Sequence, residues 1–202
     1  MNGERRMKAA PSQPDAAVAP LEAPLATPVS AWLALGANLG DAQANVLQAM
    51  TAMQSWPHTR LVRASSLYRT APVDADGPDY INAVVELQTC LSPQALLQQC
   101  QWQEQAAGRQ RPYHHAPRTL DIDILLYGEQ QLHTPELTLP HPRMTQRAFV
   151  LLPLAEIAPH QVTPQQLQAV ADQRIERLCE AALTNMAGTA HVKQAPDAAA
   201  CA

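Results

Sequence analysis

Residues 117–126 read Pro117-Arg118-Thr119-Leu120-Asp121-Ile122-Asp123-Ile124-Leu125-Leu126. Leu120, Ile122, Ile124 and Leu126 alternate with Asp121 and Asp123, the two-residue period of a half-buried strand. That period sends both carboxylates to the face opposite the aliphatic residues, with their Cα atoms about 6.6 Å apart. Two acids so placed repel each other, so a positive partner is required beside them. Arg118 stands just ahead of the pair, and Mg²⁺ with a polyphosphate suits the remaining oxygen ligands. An acidic pair on a strand is more often a solvated face or half of a salt-bridge ladder. The pattern alone therefore leaves metal binding open, and its neighbours decide.

Working outward, the chain has 202 residues and a formal net charge of −4, enough for one domain with a core plus tails. Such a balance gives no general reason to expect a nucleic-acid or membrane partner. Lysine occurs only at Lys8 and Lys193, near the two ends, so every cation between them is Arg. Arg109, Arg111, Arg118, Arg143 and Arg147 fall within one stretch. Biased codon usage lowers lysine content too, but a planar guanidinium fork matches phosphate oxygens two at a time. A Schiff-base lysine and a P-loop lysine are excluded from the body, which has no G-x-x-x-x-G-K-[ST] run. Cys90, Cys100, Cys179 and Cys201 show no C-x-x-C spacing, which reads as four reduced thiols of a cytosolic protein and no zinc site. No apolar run is long enough to span a bilayer. The basic start is followed by Pro11, Pro14, Pro20, Pro24 and Pro28, which breaks any signal-peptide core.

The ends, 1–29 and 187–202, are Ala/Pro-rich or poor in large apolar residues and read as disordered. Between them a domain spans 30–162, with a helical extension over 163–186. Trp32–Leu35 reads as a strand. Asp41 caps a helix whose Val46, Leu47, Met50 and Met53 share a face. Leu61–Tyr68 and Tyr80–Leu91 read as strands separated by the turn-rich loop 70–79. Ser92-Pro93 opens a second helix with a hydroxyl cap and a proline in the first turn, and Gly108 stops it. The Asp-x-Asp strand follows. This strand–helix–strand–strand–helix–strand order predicts an α+β, ferredoxin-like βαββαβ sandwich with an antiparallel sheet. A strand near Leu137–Leu139, a helix over Arg147–Ile157 and a helix over 164–185 extend it.

Six segments carry a family resemblance: Leu-Gly-Ala-Asn-Leu-Gly (35–40), Ser-Ser-Leu-Tyr-Arg-Thr-Ala-Pro (65–72), Asp-Tyr-Ile-Asn-Ala-Val (79–84), Gly-Arg-Gln-Arg (108–111), Pro-Arg-Thr-Leu-Asp-Ile-Asp-Ile (117–124) and Pro-His-Pro-Arg-Met-Thr-Gln-Arg-Ala-Phe (140–149). Together they resemble the 6-hydroxymethyl-7,8-dihydropterin pyrophosphokinase family of folate biosynthesis, from about residue 31 to about 160. The resemblance implies transfer of the terminal pyrophosphate of ATP to the hydroxymethyl oxygen of the pterin, leaving AMP. It implies that Asp121 and Asp123 hold two Mg²⁺ ions along the triphosphate, and that Arg109 and Arg118 join them in the catalytic set. It places Gln101, Glu104, Arg109, Arg111, Arg118, Ile124 (through its backbone), Thr138, His141 and Arg147 at the nucleotide. Thr70, Ala71, Pro72, Val73, Tyr80, Asn82 and Phe149 are placed at the pterin, a flat polar ring suited to aromatic faces and an amide edge. Gln101 and Glu104, three apart on a helix, would share a face. No residue stands out as a general base; charge neutralisation and positioning are the chemistry required.

The chain departs from the family pattern at His115, where a tryptophan is usual, at Ala71 for a proline and at Pro142 for an aromatic residue. The His114-His115 loop is expected to be a lid whose closure is either weakened by the loss of the aromatic or made pH-sensitive by the histidines, with altered kinetics and activity retained. The rival classes are a Mg²⁺-dependent phosphodiesterase, which leaves Tyr80, Asn82 and Phe149 without a role, a binding-only homologue, and an RNA-binding module, for which 4% aromatic content is poor. The expected partners are the pterin and ATP, with no nucleic acid or membrane, for a cytoplasmic monomer.

Overall fold

The computed structural model describes residues 24–72, 77–108 and 118–178. Strand β1 (Val29–Ala37) is the middle of the fold: it pairs antiparallel with β4 (Tyr80–Thr89) on one side and with β5 (Asp121–Tyr127) on the other. On the far side of β4 lie β2 (Thr59–Ala64) and β3 (Tyr68–Thr70), and β8 (Ile175–Arg177) pairs with β3. The result is a six-stranded, wholly antiparallel sheet in the order β5-β1-β4-β3-β8, with β2 beside β4. β6 (Leu132–His133) and β7 (Thr138–Leu139) form a separate two-stranded ribbon.

Alternation along the strands gives the sheet two faces with different coverings. Leu33, Leu35, Ala83, Val85, Ile122 and Ile124 meet α1 (Ala42–Met53) and α2 (Pro93–Ala106) through Val46, Met50, Met53, Leu96 and Cys100. Both helices begin as expected: Asp41 accepts from the Ala44 N–H, Ser92 from the Ala95 N–H. The opposite face carries Trp32, Ala34 and Val84, packed under Val150, Leu154 and Ile157 of α3 (Ala148–Ile157). Leu125 reaches this second face by the same alternation as Asp121 and Asp123, and the register shift in β1–β5 between Trp32 and Leu33 brings Leu126 to it as well. α3 does not cover the sheet completely. Gly36, Asn82 and Asp121, aligned side by side on three neighbouring strands, lie at the uncovered end.

Four expectations are corrected. The strand read over Leu61–Tyr68 is broken into β2 and β3, because the backbone at Ser65 and Ser66 bonds outside a regular ladder. The Val84 N–H donates to Ser65 Oγ, and the Ser66 N–H donates to the Glu156 carboxylate. Of the helix read over 164–185, the described residues form only α4 (Pro164–Ala169), after which the chain returns to the sheet as β8; residues 179–185 lie outside the described residues. Gln173, just past α4, accepts from the Ala148 N–H and donates to the Gln146 carbonyl, which directs the chain back to the start of α3. The leader read over 1–29 overlaps described chain: the Leu25 N–H donates to the Cys90 carbonyl, and β1 begins at Val29. Finally, Cys100 is a free buried thiol, but Cys90 is disulfide-bonded. Spacing in sequence does not reveal which cysteines meet in space.

Candidate active site

β5 presents its carboxylates as its alternation requires: Ile122 and Ile124 are buried while Asp121 and Asp123 are half-buried on the other face. Across the sheet Asp121 stands opposite Gly36, and Gly36 opposite Asn82. A Cβ at Gly36 would come within 3.3 Å of Asn82 Oδ1, so glycine leaves room for the amide to lie across β1. Asn82 is buried, and its Nδ2 donates to Thr70 Oγ1 at 2.9 Å. Thr70 in turn faces Tyr80 across β3–β4. The acidic strand and the residues expected at the pterin therefore form one continuous surface.

The Arg118 guanidinium is ion-paired with the Asp121 carboxylate, so the cation ahead of the acidic pair is turned onto it. Asp123 has a different environment. Burial first, and the Asp121 charge second, hold its carboxyl above the ordinary carboxylate range, with His141, Arg147 and Arg118 opposing. His141 is held below the ordinary imidazole value chiefly by burial; Asp123 opposes that shift, while Arg147 and Arg143 add to it. Burial and then Arg143 lower Arg147, which nevertheless remains a cation at physiological pH. Burial raises the Tyr80 phenol, and Arg118 and Asp121 act on it from nearby. Asp121, Asp123, Arg118, His141, Arg147 and Tyr80 thus form one electrostatic cluster.

Other expected residues fall around this cluster. His141 follows the cis Leu139–Pro140 peptide, its backbone N–H donating to the Leu125 carbonyl on β5. Thr138 lies half-buried on β7. Phe149 is half-buried in the first turn of α3, with the Arg147 guanidinium 5.3 Å from its ring centroid. Glu104 is buried, and its carboxylate accepts the Ile122 N–H at 2.7 Å, on the edge of β5 away from β1. Gln101 is exposed on the same helix, at a shallower depth than Glu104. The Ile124 side chain belongs to the core on the opposite face, leaving only its backbone for a ligand. Ala71 is exposed and Pro72 half-buried. A cavity of about 110 Å³ opens beside Thr70 and Ala71, lined also by Arg69, Asp79, Arg174 and Glu176. Arg109, Arg111, Val73, His114 and His115 lie outside the described residues.

Among the described residues no group of three or more His, Cys, Asp or Glu side chains converges on a metal position. The donor set fits a cation that takes one or two carboxylates from protein and the rest of its shell from phosphates and water, which is the habit of Mg²⁺.

Two contributors escaped the sequence reading. Asn38 is buried in the turn after β1; its Oδ1 accepts the Arg118 N–H at 2.7 Å, and its own N–H donates to the Arg118 carbonyl. It fixes the backbone from which Arg118 reaches Asp121. The signal present was an Asn in a tight turn directly after a strand. Glu156 on α3 is the second, accepting from Ser66, Tyr68 and Arg177. Burial first, then the hydrogen bond to Glu156, push the Tyr68 phenol up to about 12, so it stays a donor.

A family model described as 7,8-dihydro-6-hydroxymethylpterin-pyrophosphokinase matches residues 32–159. The 2-amino-4-hydroxy-6-hydroxymethyldihydropteridine pyrophosphokinase of Pseudomonas aeruginosa is 44% identical over 154 residues, covering 73% of this chain and 95% of that protein. The enzyme of the same name from Bacillus subtilis is 40% identical over 144 residues, covering 71% and 86%. Among solved structures, a Plasmodium falciparum HPPK-DHPS with pteroate aligns at TM-score 0.50 and 15% identity, covering 65% of this chain and 38% of that longer one. At that identity the likeness concerns the fold alone. The chain belongs to the 7,8-dihydro-6-hydroxymethylpterin-pyrophosphokinase family.

Proposed function

We propose that Asp121 and Asp123 carry the reaction of this ATP-dependent pyrophosphokinase, the transfer of pyrophosphate from ATP to the hydroxymethyl group of 6-hydroxymethyl-7,8-dihydropterin in folate biosynthesis. The observation that carries the assignment is the pair of carboxylates on one face of β5, flanked by Arg118, His141 and Arg147 and continuous with Asn82 through Gly36. Asp121 and Asp123 would hold two Mg²⁺ ions. When bound, these neutralise triphosphate charge and steady the attacking and leaving oxygens. Arg118 and Arg147, with Arg109 and Arg111, grip the phosphates in bidentate fashion. His141 and Thr138 lie beyond β5 on the nucleotide side, where Gln101 and the Ile124 backbone complete the ATP contacts. Glu104 holds the Ile122 backbone and keeps the two acids in register.

On the pterin side the ring lies between Tyr80 and Phe149, and the Asn82 amide reads its edge. Thr70 holds that amide by accepting from Nδ2, which leaves Oδ1 and the second N–H for ligand. Ala71, Pro72 and Val73 finish the wall. The chain's own groups supply orientation, exclusion of water and fixed charge. The sheet order supports a ferredoxin-like arrangement, with β2 and β3 as one interrupted strand. The pairing of β8 with β3 makes the segment after residue 162 part of the same body. We place the enzyme in the cytoplasm as a monomer. The comparisons lend nothing to the phosphodiesterase and RNA-binding readings.

The test is AMP release from ATP and the hydroxymethyl-dihydropterin in Mg²⁺, comparing the parent with Asp121→Ala and Asp123→Ala. Each variant is expected to lose activity by about a hundredfold or more. Variants that match the parent would remove both aspartates from the site.

A further inference from the structure

The slot assumed for the pterin has walls on two elements that are distant in sequence. Phe149 stands in the first turn of α3, while Thr70, which holds the Asn82 amide, stands on β3. Apolar packing against Trp32, Ala34 and Val84 holds α3 on the sheet, and Arg63 donates to the Ile157 carbonyl at the end of the helix. Glu156 joins α3 directly to β3 and its approach. Glu156 sits seven residues after Phe149, two helical turns along α3 and therefore on the same side of the helix. Its Oε1 accepts from Ser66 Oγ at 2.8 Å and from Arg177 Nη2 at 3.0 Å; its Oε2 accepts from Tyr68 Oη at 2.9 Å. The Ser66 N–H lies 3.2 Å from both oxygens. Arg177 also donates to Ser66 Oγ from Nε and Nη2, at 2.9 and 2.8 Å. Three elements, α3, β3 with its approach, and β8, therefore meet on one carboxylate. Tyr68 lies directly opposite Asn82 across β3–β4.

We propose that Glu156 is a positioning residue for the pterin: by gathering Ser66, Tyr68 and Arg177 it locks the helix bearing Phe149 to the strand bearing Thr70, and so sets the width of the slot and the aim of the Asn82 amide. The proposal rests on the reading that the ring lies between Tyr80 and Phe149. It favours one substrate over the other, because apart from Arg147 at the start of α3 the nucleotide side is built on β5, α2 and the segment around His141, none of which supplies a partner to this carboxylate. A carboxylate whose role is general stability would, when removed, weaken both substrates alike.

The experiment uses full-length enzyme and initial rates of AMP formation, varying pterin at saturating ATP and then ATP at saturating pterin, in Glu156→Gln, Tyr68→Phe, Phe149→Ala and Asn82→Ala. Glu156→Gln keeps the size of the side chain but replaces one accepting oxygen by a donor; its pterin KM is expected to rise about tenfold while the ATP KM stays within about twofold. Tyr68→Phe removes one arm of the clamp and is expected to move the pterin KM in the same direction, about threefold. Phe149→Ala and Asn82→Ala report on the slot itself. Unchanged pterin KM in these two overturns the slot reading on which the proposal rests. Raised pterin KM in these two, with none in Glu156→Gln and Tyr68→Phe, overturns the clamp and leaves the slot standing. Equal worsening for both substrates in Glu156→Gln overturns it as well. Should Glu156→Gln fail to fold, Tyr68→Phe decides by the same criterion.

Discussion

Asp123 is the residue at which the proposed function and stability pull apart. Its carboxyl titrates above the ordinary carboxylate range because it is buried, and then because Asp121 stands beside it. A folded pKa above the unfolded one means that the native state retains a proton which the unfolded chain has already released. Stability from this group is therefore fully present below about pH 3.9, the ordinary aspartate value, and is lost as pH rises through the raised folded value. Asp123→Asn removes the charge without changing the shape, so the ligand-free variant should melt above the parent at neutral pH. The gain should shrink to nothing in acid, and the same variant should lose AMP release. Melting curves across pH decide this; a variant less stable than the parent at neutral pH would refute it. Acids kept at such a cost are a mark of active sites. Asp121 and Asp123 were legible in sequence because a strand's period exposes its own pattern within a few residues. Asn38 and Glu156 were not, because Asn38 acts on Arg118 and Glu156 on Ser66, 80 and 90 positions away. No local pattern encodes such a partner.

Between elements, the same contrast explains which parts of the fold could be read ahead. α1 and α2 were placed by their caps, Asp41 and Ser92, and by apolar faces, signals contained within each helix. The break between β2 and β3 depends on Ser65 and Ser66 finding partners on β4 and α3, and β8 depends on an open edge at β3. Both are decided by tertiary contacts, as is the small β6–β7 ribbon. The joint between α2 and β5 is of this kind too. β5 has β1 on one side only, and on its other edge the Ile122 N–H, between Asp121 and Asp123, is satisfied by Glu104. Glu104→Ala leaves that buried donor without its acceptor, at a cost of about 1–3 kcal/mol. Glu104→Gln retains an accepting oxygen and should recover part of the loss. The expected result in urea is a lower midpoint for Glu104→Ala with an unchanged slope, accompanied by a fall in kcat/KM as the aspartates lose their register. Wild-type stability in Glu104→Ala would remove it from the support of β5.

For the whole molecule, the two faces of the sheet are unequal, and that inequality sets which parts open first. The α1–α2 face closes over a large continuous core that includes Leu33, Leu87, Met50, Leu96 and Tyr127, all buried to 2% exposure or less. The α3 face is held by a smaller cluster around Trp32, Val84 and Leu154, and α4 and β8 are short elements at its margin. Regions with fewer buried apolar contacts open at lower free energy than the global transition. Amide exchange should therefore be slowest in β1 and β4, which are paired on both sides, and markedly faster in α3, α4 and β8. The proposed substrate slot lies on the weaker face. A pterin seated against Phe149 and Asn82 ties α3 to the sheet, and a ligand that binds only the closed form stabilises it in proportion to the logarithm of its concentration over Kd. Adding the pterin with a non-hydrolysable ATP analogue and Mg²⁺ should accordingly slow exchange in α3 and β8, while β1 and the core of β4 change little. Hydrogen–deuterium exchange read by peptide mass decides it. Protection gained uniformly over both faces, or in α1 and α2 alone, would mean that the ligands engage a surface other than the uncovered end of this sheet.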